Sequence, residues 1–191
     1  DEISRKLYDD SANTWSETSI ATTMVEADPA VTWPDFAACV DVTNSLHIVV
    51  AWAATDVATS KLRCWTVTDA AITEKTNVVS SAAAESGMCA VAISKTTGNW
   101  WVFYCVGGTY GTDVQLYCKV STDGGTTWGA QTLVQDNTSN GAQKIVVLYP
   151  CPRFTGPRKI GYAIQAGTGS NMYMYCNTSF EQPRISLILG V

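Results

Sequence analysis

The stretch KVSTDGGTTWGAQTLV, Lys119–Val134, decides how this chain is read. It packs Ser, Asp, three Gly, several Thr and a Trp between two apolar runs, in a chain of which only 15% of residues are charged. Such a cluster marks a tight reversal between two strands. Gly124 and Gly125 permit positive φ, Ser121 and Asp123 are suited to hydrogen-bonding the turn amides, and Trp128 can fold over the turn as an apolar lid with an N–H to spare.

Composition sets the outer bounds. The 191 residues suffice for one domain with a sizeable core, or for part of a larger one. A hydrophobic share of 46%, with 7 Trp and 8 Tyr, suits a folded, all-β protein. Apolar runs such as IVVAWAA from Ile48 are too short to span a bilayer, and from Asp1 onward no secretory signal is read, so membrane insertion is not expected. Net charge is −5 and Lys and Arg never cluster, which argues against nucleic acid as a partner. The seven cysteines (39, 64, 89, 105, 118, 151 and 176) form no C-x-x-C pair and there is a single His, so neither a metal nor any other cofactor is expected. Disulfides and buried free thiols both remain open, although an odd count leaves at least one thiol unpaired per monomer.

The quoted stretch repeats. LRCWTVTDAAITEKTNVV (62 to 79) aligns with LYCKVSTDGGTTWGAQTLV (116 to 134) at a spacing of 54, matching Leu62 to Leu116, Cys64 to Cys118 and Asp69 to Asp123. NSLHIVVAW (44 to 52) lies opposite GNWWVFYCV (98 to 106) at the same spacing. ISRKLYDDSANTWSETSI (3 to 20) places Asp10 on Asp123 and Trp15 on Trp128, with Ser11 and Ala12 in place of the glycines, and NMYMYCNTSFEQPRISLIL (171 to 189) follows more loosely.

Alternating and apolar runs between the turn clusters predict strands at 3–8 and 15–22; at 35–41, 46–53, 61–67 and 73–79; at 88–94, 100–106, 114–121 and 128–134; and at 144–149, 159–165, 171–177 and 184–189. Four antiparallel strands per repeat of 50 to 60 residues is the arithmetic of a β-propeller. The chain then divides into a half blade at 1–25 and blades at 33–80, 87–135 and 142–190, about three and a half blades in all. That number predicts a piece of a larger propeller, a ring completed by other copies or other blades of the same protein, or a small four-bladed closure.

Ser121, Asp123, Gly125, Thr127 and Trp128, in the order S-x-D-x-G-x-T-W, resemble the Asp box, or BNR repeat, of sialidase-like propellers. Asp10 and Trp15 resemble a degenerate copy. In that family the box is a structural corner on the face opposite the ligand, so the resemblance implies that Asp123 holds a turn and is not a catalytic acid. Sialidases draw an Arg triad, a Tyr–Glu pair and an Asp from several blades. Here the five Arg (5, 63, 153, 158 and 184) do not follow the family's F/Y-R-I-P motif, and nothing pairs Asp28, Asp35, Asp56 or Asp113 across a cleft. No catalytic residue is assigned. His47 reads as a histidine packed in a strand, in the core or at an edge, and Cys64 and Cys118 as small buried side chains rather than nucleophiles.

On the implied ligand side, Trp33, Asp56, Tyr110 and Asp113 offer flat apolar faces and hydroxyl acceptors. The expected function is a non-catalytic module for recognition or structural assembly on a secreted, cell-surface or virion protein, such as a phage fibre or decoration protein. The alternatives are a fragment of a sialidase-like glycoside hydrolase and a lectin-like glycan binder.

Overall fold

A computed structural model describes residues 2–21, 36–41, 44–54, 59–83, 89–94, 97–106, 115–135, 143–150, 160–166 and 172–177. Among the described residues there is no helix, and every sheet is antiparallel and open. A hairpin of β1 (Ile3–Asp9) and β2 (Thr14–Ala21) comes first. A central sheet follows, with β3 (Phe36–Asp41), β4 (Leu46–Ala54) and β5 (Thr59–Val67) in order, and then β6 (Ile72–Glu74) and β7 (Val79–Ala83) both paired to β5. The second sheet is a meander of β8 (Cys89–Ile93), β9 (Trp100–Val106), β10 (Gln115–Ser121) and β11 (Thr132–Gln135). A third sheet carries β12 (Gln143–Pro150), β13 (Ile160–Ala166) and β14 (Met172–Asn177); the strand expected at 184–189 lies outside the described residues.

The sequence of β4, LHIVVAWAA, shows why the sheets stack. Alternate side chains of a strand point to opposite faces, and a strand covered on both faces reads as an unbroken apolar run. Ile48, Val50 and Trp52 join Leu62, Cys64 and Val78 in a core shared with Cys89, Val91, Trp100, Val102 and Tyr104 of the second sheet. Val49, Ala51 and Ala53 face the other way and, with Trp65 and Val67, pack against Ala21, Ile3 and Ile20 of the hairpin. The second sheet repeats this pattern: Phe103 and Cys105 of β9 and Leu116 and Cys118 of β10 are buried on its far side. The first strands are neighbours, with β8 against β3 and β4 and also against β12.

Register corrects the repeat. Val50 pairs with Cys64 and Phe103 pairs with Cys118, so the third strands are 54 apart while the second strands are 53 apart. The turns before the second strands agree with 53. Asp41 Oδ1 accepts the Asn44 amide (3.2 Å), and Ser94 Oγ, 53 residues later, accepts the Thr97 amide (3.1 Å). Because the side-chain period is two, a uniform spacing of 54 would turn every second-strand side chain of one repeat to the wrong face.

Two strand expectations are also corrected. The segment expected at 73–79 is broken into β6 and β7, although Lys75 N and Val78 N still donate to Cys64 O and Leu62 O (both 2.8 Å). The strand expected from 128 begins only at Thr132, because residues 128–131 still belong to the turn.

Among the described residues Cys39, Cys64, Cys89, Cys105 and Cys118 are thiols outside any disulfide, and all but Cys39 are buried. Thiol labelling of the native protein, mapped by mass spectrometry, is expected to leave Cys64, Cys89, Cys105 and Cys118 unmodified, and to modify all four once denaturant is added. Native labelling of any of these four would contradict the stacking.

Candidate functional site: the corner between the central and second sheets

The corner between β10 and β11 is built from its own side chains. Ser121, buried at the end of β10, donates to Asp123 Oδ1 (2.8 Å) and accepts the Gly125 amide (2.8 Å). Asp123 accepts the Thr127 amide on Oδ1 (2.9 Å) and the Thr127 hydroxyl on Oδ2 (2.5 Å). These bonds, led by that from the Thr127 hydroxyl, hold the Asp123 carboxyl down at about 2. The Gly129 amide closes the turn on Val120 O (2.8 Å). Gly124 (φ +68) and Gly125 (φ +82) lie in the left-handed region, over the indole of Trp100. A Cβ on Gly125 would stand 2.6 Å from a Trp100 ring carbon, whereas one on Gly124 would stand 3.8 Å away.

The corner also reaches the neighbouring sheet. Trp128 Nε1 donates to Thr76 O (2.9 Å), Thr76 Oγ1 donates to Thr126 O (2.7 Å), and Thr76 N donates to Gly125 O (3.3 Å). Thr76 lies in the gap between β6 and β7, so the break in that strand is where the next sheet's corner docks. Lys119 Nζ adds a bond to Val78 O (2.9 Å), and burial lowers its pKa. Neither Thr76 nor Trp100 was expected at this site. Both lie outside the S-x-D-x-G-x-T-W string, and the only signal is that a two-glycine approach implies a large ring beneath it.

The other expected residues are placed as follows. Asp10 is exposed in the hairpin turn, but Asp9 does the bonding, with Oδ1 accepting from Ser11 N (2.9 Å), Ser11 Oγ (2.7 Å) and Ala12 N (3.1 Å). Trp15 is not a lid. It sits on β2 opposite Tyr8, with ring centroids 5.0 Å apart, and is 69% exposed. In the central sheet Thr68, rather than Asp69, holds the turn: its hydroxyl accepts the Ala71 amide (3.0 Å) and its carbonyl accepts from Arg5. Trp33, Asp56, Tyr110 and Asp113 lie outside the described residues, as do Asp28, Asp35, Arg153, Arg158 and Arg184. Arg63 pairs with Glu74 (2.9 Å) and lies over the Trp65 ring, 4.7 Å from its centroid.

His47 is on β4 as expected and is exposed there, not in the core. Burial pushes the Cys64 thiol up to about 12 and the Cys118 thiol to about 11, which keeps both neutral and non-nucleophilic at neutral pH. Among the described residues no group of three or more His, Cys, Asp or Glu could hold a metal, and no helix is long and apolar enough to cross a membrane. A groove of about 420 Å³ runs between the hairpin and the central sheet, lined by Arg5, Thr18, Trp65, Ile72 and Glu74 among others. Compared with family models and with curated proteins, the chain matches none.

Two predictions follow from the corner. Gly124→Ala should cost roughly 1–2 kcal/mol for its left-handed backbone, and Gly125→Ala clearly more, because Trp100 must also move; equilibrium denaturation of the two variants tests the order. Asp123 has a folded pKa below the usual carboxylate value, so it stabilises the fold above about pH 4 and that contribution is lost as pH falls towards about 2. Asp123→Asn should therefore flatten the fall in melting temperature between pH 4 and pH 2. Residual slope is expected from Asp9 and Glu17, whose pKa values are also lowered, Asp9 chiefly by the Ser11 hydroxyl and Glu17 chiefly by the Ser4 hydroxyl.

Proposed function

We propose that this chain is a non-catalytic Asp-box β-propeller module serving recognition or structural assembly on a secreted, cell-surface or virion protein, of the kind found in phage fibres and decoration proteins. The observation that carries the reading is the stacking of successive antiparallel sheets with their first strands adjacent, β3 beside β8 and β8 beside β12, as strands gathered about a common axis would be. The Ser121–Trp128 corner supports the Asp-box part of the reading, since Ser121, Asp123, Gly125, Thr127 and Trp128 each make a turn or docking contact. In that frame Asp123 is structural. Both carboxylate oxygens accept from the corner itself, and a group ionised down to about pH 2 is no general acid at neutral pH.

The four described sheets are open, and in this reading further blades, from other copies or from other parts of the same polypeptide, complete the ring. Recognition is then assigned to Trp33, Asp56, Tyr110 and Asp113, which the Asp-box resemblance implies lie on the ligand side.

The test is the mass of the native particle, measured by light scattering on the full-length gene product, with class averages from electron microscopy. The expected result is a ring whose blade count exceeds that of one 191-residue segment. An isolated stack of sheets with no ring in projection would overturn the reading.

A further inference from the structure

The outer face of the hairpin differs from the apolar faces of the central and second sheets. Its inner face, with Ile3 and Arg5, is turned to the central sheet. The outer face presents Ser4, Lys6 and Tyr8 from β1 opposite Ser19, Glu17 and Trp15 from β2. Its polar groups are ordered among themselves. Ser4 Oγ donates to Glu17 Oε1 (2.5 Å), Lys6 Nζ lies 3.7 Å from Glu17 Oε2, and Ser19 Oγ donates to Glu2 Oε2 (3.0 Å). At the far end Trp15 and Tyr8 stand as a tilted aromatic pair, 69% and 45% exposed, with the Tyr8 hydroxyl donating to Asn13 Oδ1 (2.5 Å). The Trp15 indole N–H has no acceptor among the described residues, unlike that of Trp128.

We propose that this face is a saccharide-binding platform in which Trp15, braced by Tyr8, stacks on the C–H face of a neutral hexopyranose, while Glu17 and Lys6 bond its hydroxyls. Three features select that ligand class. An exposed aromatic ring flanked by ordered donors and acceptors matches a sugar, which has one apolar face and an equatorial rim of hydroxyls. The Lys6–Glu17 pair supplies both signs of charge and so favours a neutral ring over an anionic one. The two rings offer on the order of 250 Å² of exposed surface, about a third of the ~800 Å² per partner typical of a stable protein interface. A further β-sheet is disfavoured, because covering this face would desolvate Lys6 and Glu17, an ion pair whose side chains are 63% and 51% exposed. The groove on the inner side does not compete as a stacking site, since Trp65 is 1% exposed. The platform requires this face to stay open, so a ring containing this chain closes through inner strands that leave the hairpin's outer face in solvent, and the platform shares no residue with Trp33, Asp56, Tyr110 and Asp113.

The test is calorimetric titration and saturation-transfer NMR of the full chain with chitotriose, cellotriose, maltotriose and mannotriose. At least one should bind. Trp15→Ala should weaken it tenfold or more, Glu17→Gln severalfold, and Trp15→Phe less than Trp15→Ala, with melting temperatures near wild type. The double variant Trp33→Ala/Tyr110→Ala should bind as wild type does. Failure of all four sugars to bind, or equal binding by Trp15→Ala, would overturn the proposal. So would self-association in sedimentation that Trp15→Ala abolishes, since the face would then belong to a second copy. Loss of binding in the double variant alone would move the site to Trp33 and Tyr110.

Discussion

Three hydrogen bonds converge on Thr76, and the relation between the central and second sheets depends on them. The residue lies where the fourth strand of the central sheet parts from its ladder, and its amide, hydroxyl and carbonyl are all taken by the corner of the next sheet. At roughly 0.5–1.5 kcal/mol net for each bond, the set is modest beside the burial of Ile48, Val50, Trp52 and Leu62, each of which contributes about 1.5–3 kcal/mol. Apolar contact is nearly indifferent to a slide of one sheet along the other, whereas three directional bonds to one residue are not. Burial supplies the cohesion, and Thr76 fixes where along the strand the sheets meet.

A sheet buried on both faces propagates the same demand to its neighbours. β4 satisfies one neighbour with Ile48, Val50 and Trp52 and the other with Val49, Ala51 and Ala53, and β9 divides itself in the same way. A sheet apolar on both faces therefore needs two partners, whereas one with a polar face can leave that face in solvent. The hairpin is such a sheet, since Ser4, Lys6, Glu17 and Ser19 stand where the interior sheets carry apolar side chains. Its two strands cover the outer part of the central sheet. Phe36 and Val40 on β3, which lie on that same face by their pairing with Ala51 and His47, remain 58% and 54% exposed. This uneven cover leaves an apolar strip beside the hairpin, the kind of exposed patch that a further element covers.

Much of this was legible in the sequence, because strand position follows from periodicity and turn chemistry. β9 coincides with its expectation at 100–106, and most of the other described strands lie within two residues of theirs. What was not legible depended on partners in space. The one-residue difference between the 53 and 54 spacings lies in the connection before the third strand, where the apolar runs IVVAW and WVFYC align almost equally well in either register. The break at Thr76 has its cause in another sheet. The choice of Asp9 over Asp10 depends on a hairpin loop shorter than the box it was aligned to, and two adjacent aspartates offer no local signal to separate them.

The two tryptophans aligned with one another show how loop length converts one residue type to opposite uses. After β10, the paired glycines let the chain pass over Trp100 in a ten-residue reversal, which delivers Trp128 to the turn, where its indole N–H is consumed by Thr76. Between β1 and β2, Ser11 and Ala12 stand at those positions, and Asn13 at φ 53 closes a loop of four residues. The shorter reversal puts Trp15 onto the ladder itself, where strand alternation turns it away from the central sheet and sets it opposite Tyr8. A corner that spends its tryptophan on holding two sheets together cannot present it to a ligand, and a corner without the glycines cannot do otherwise.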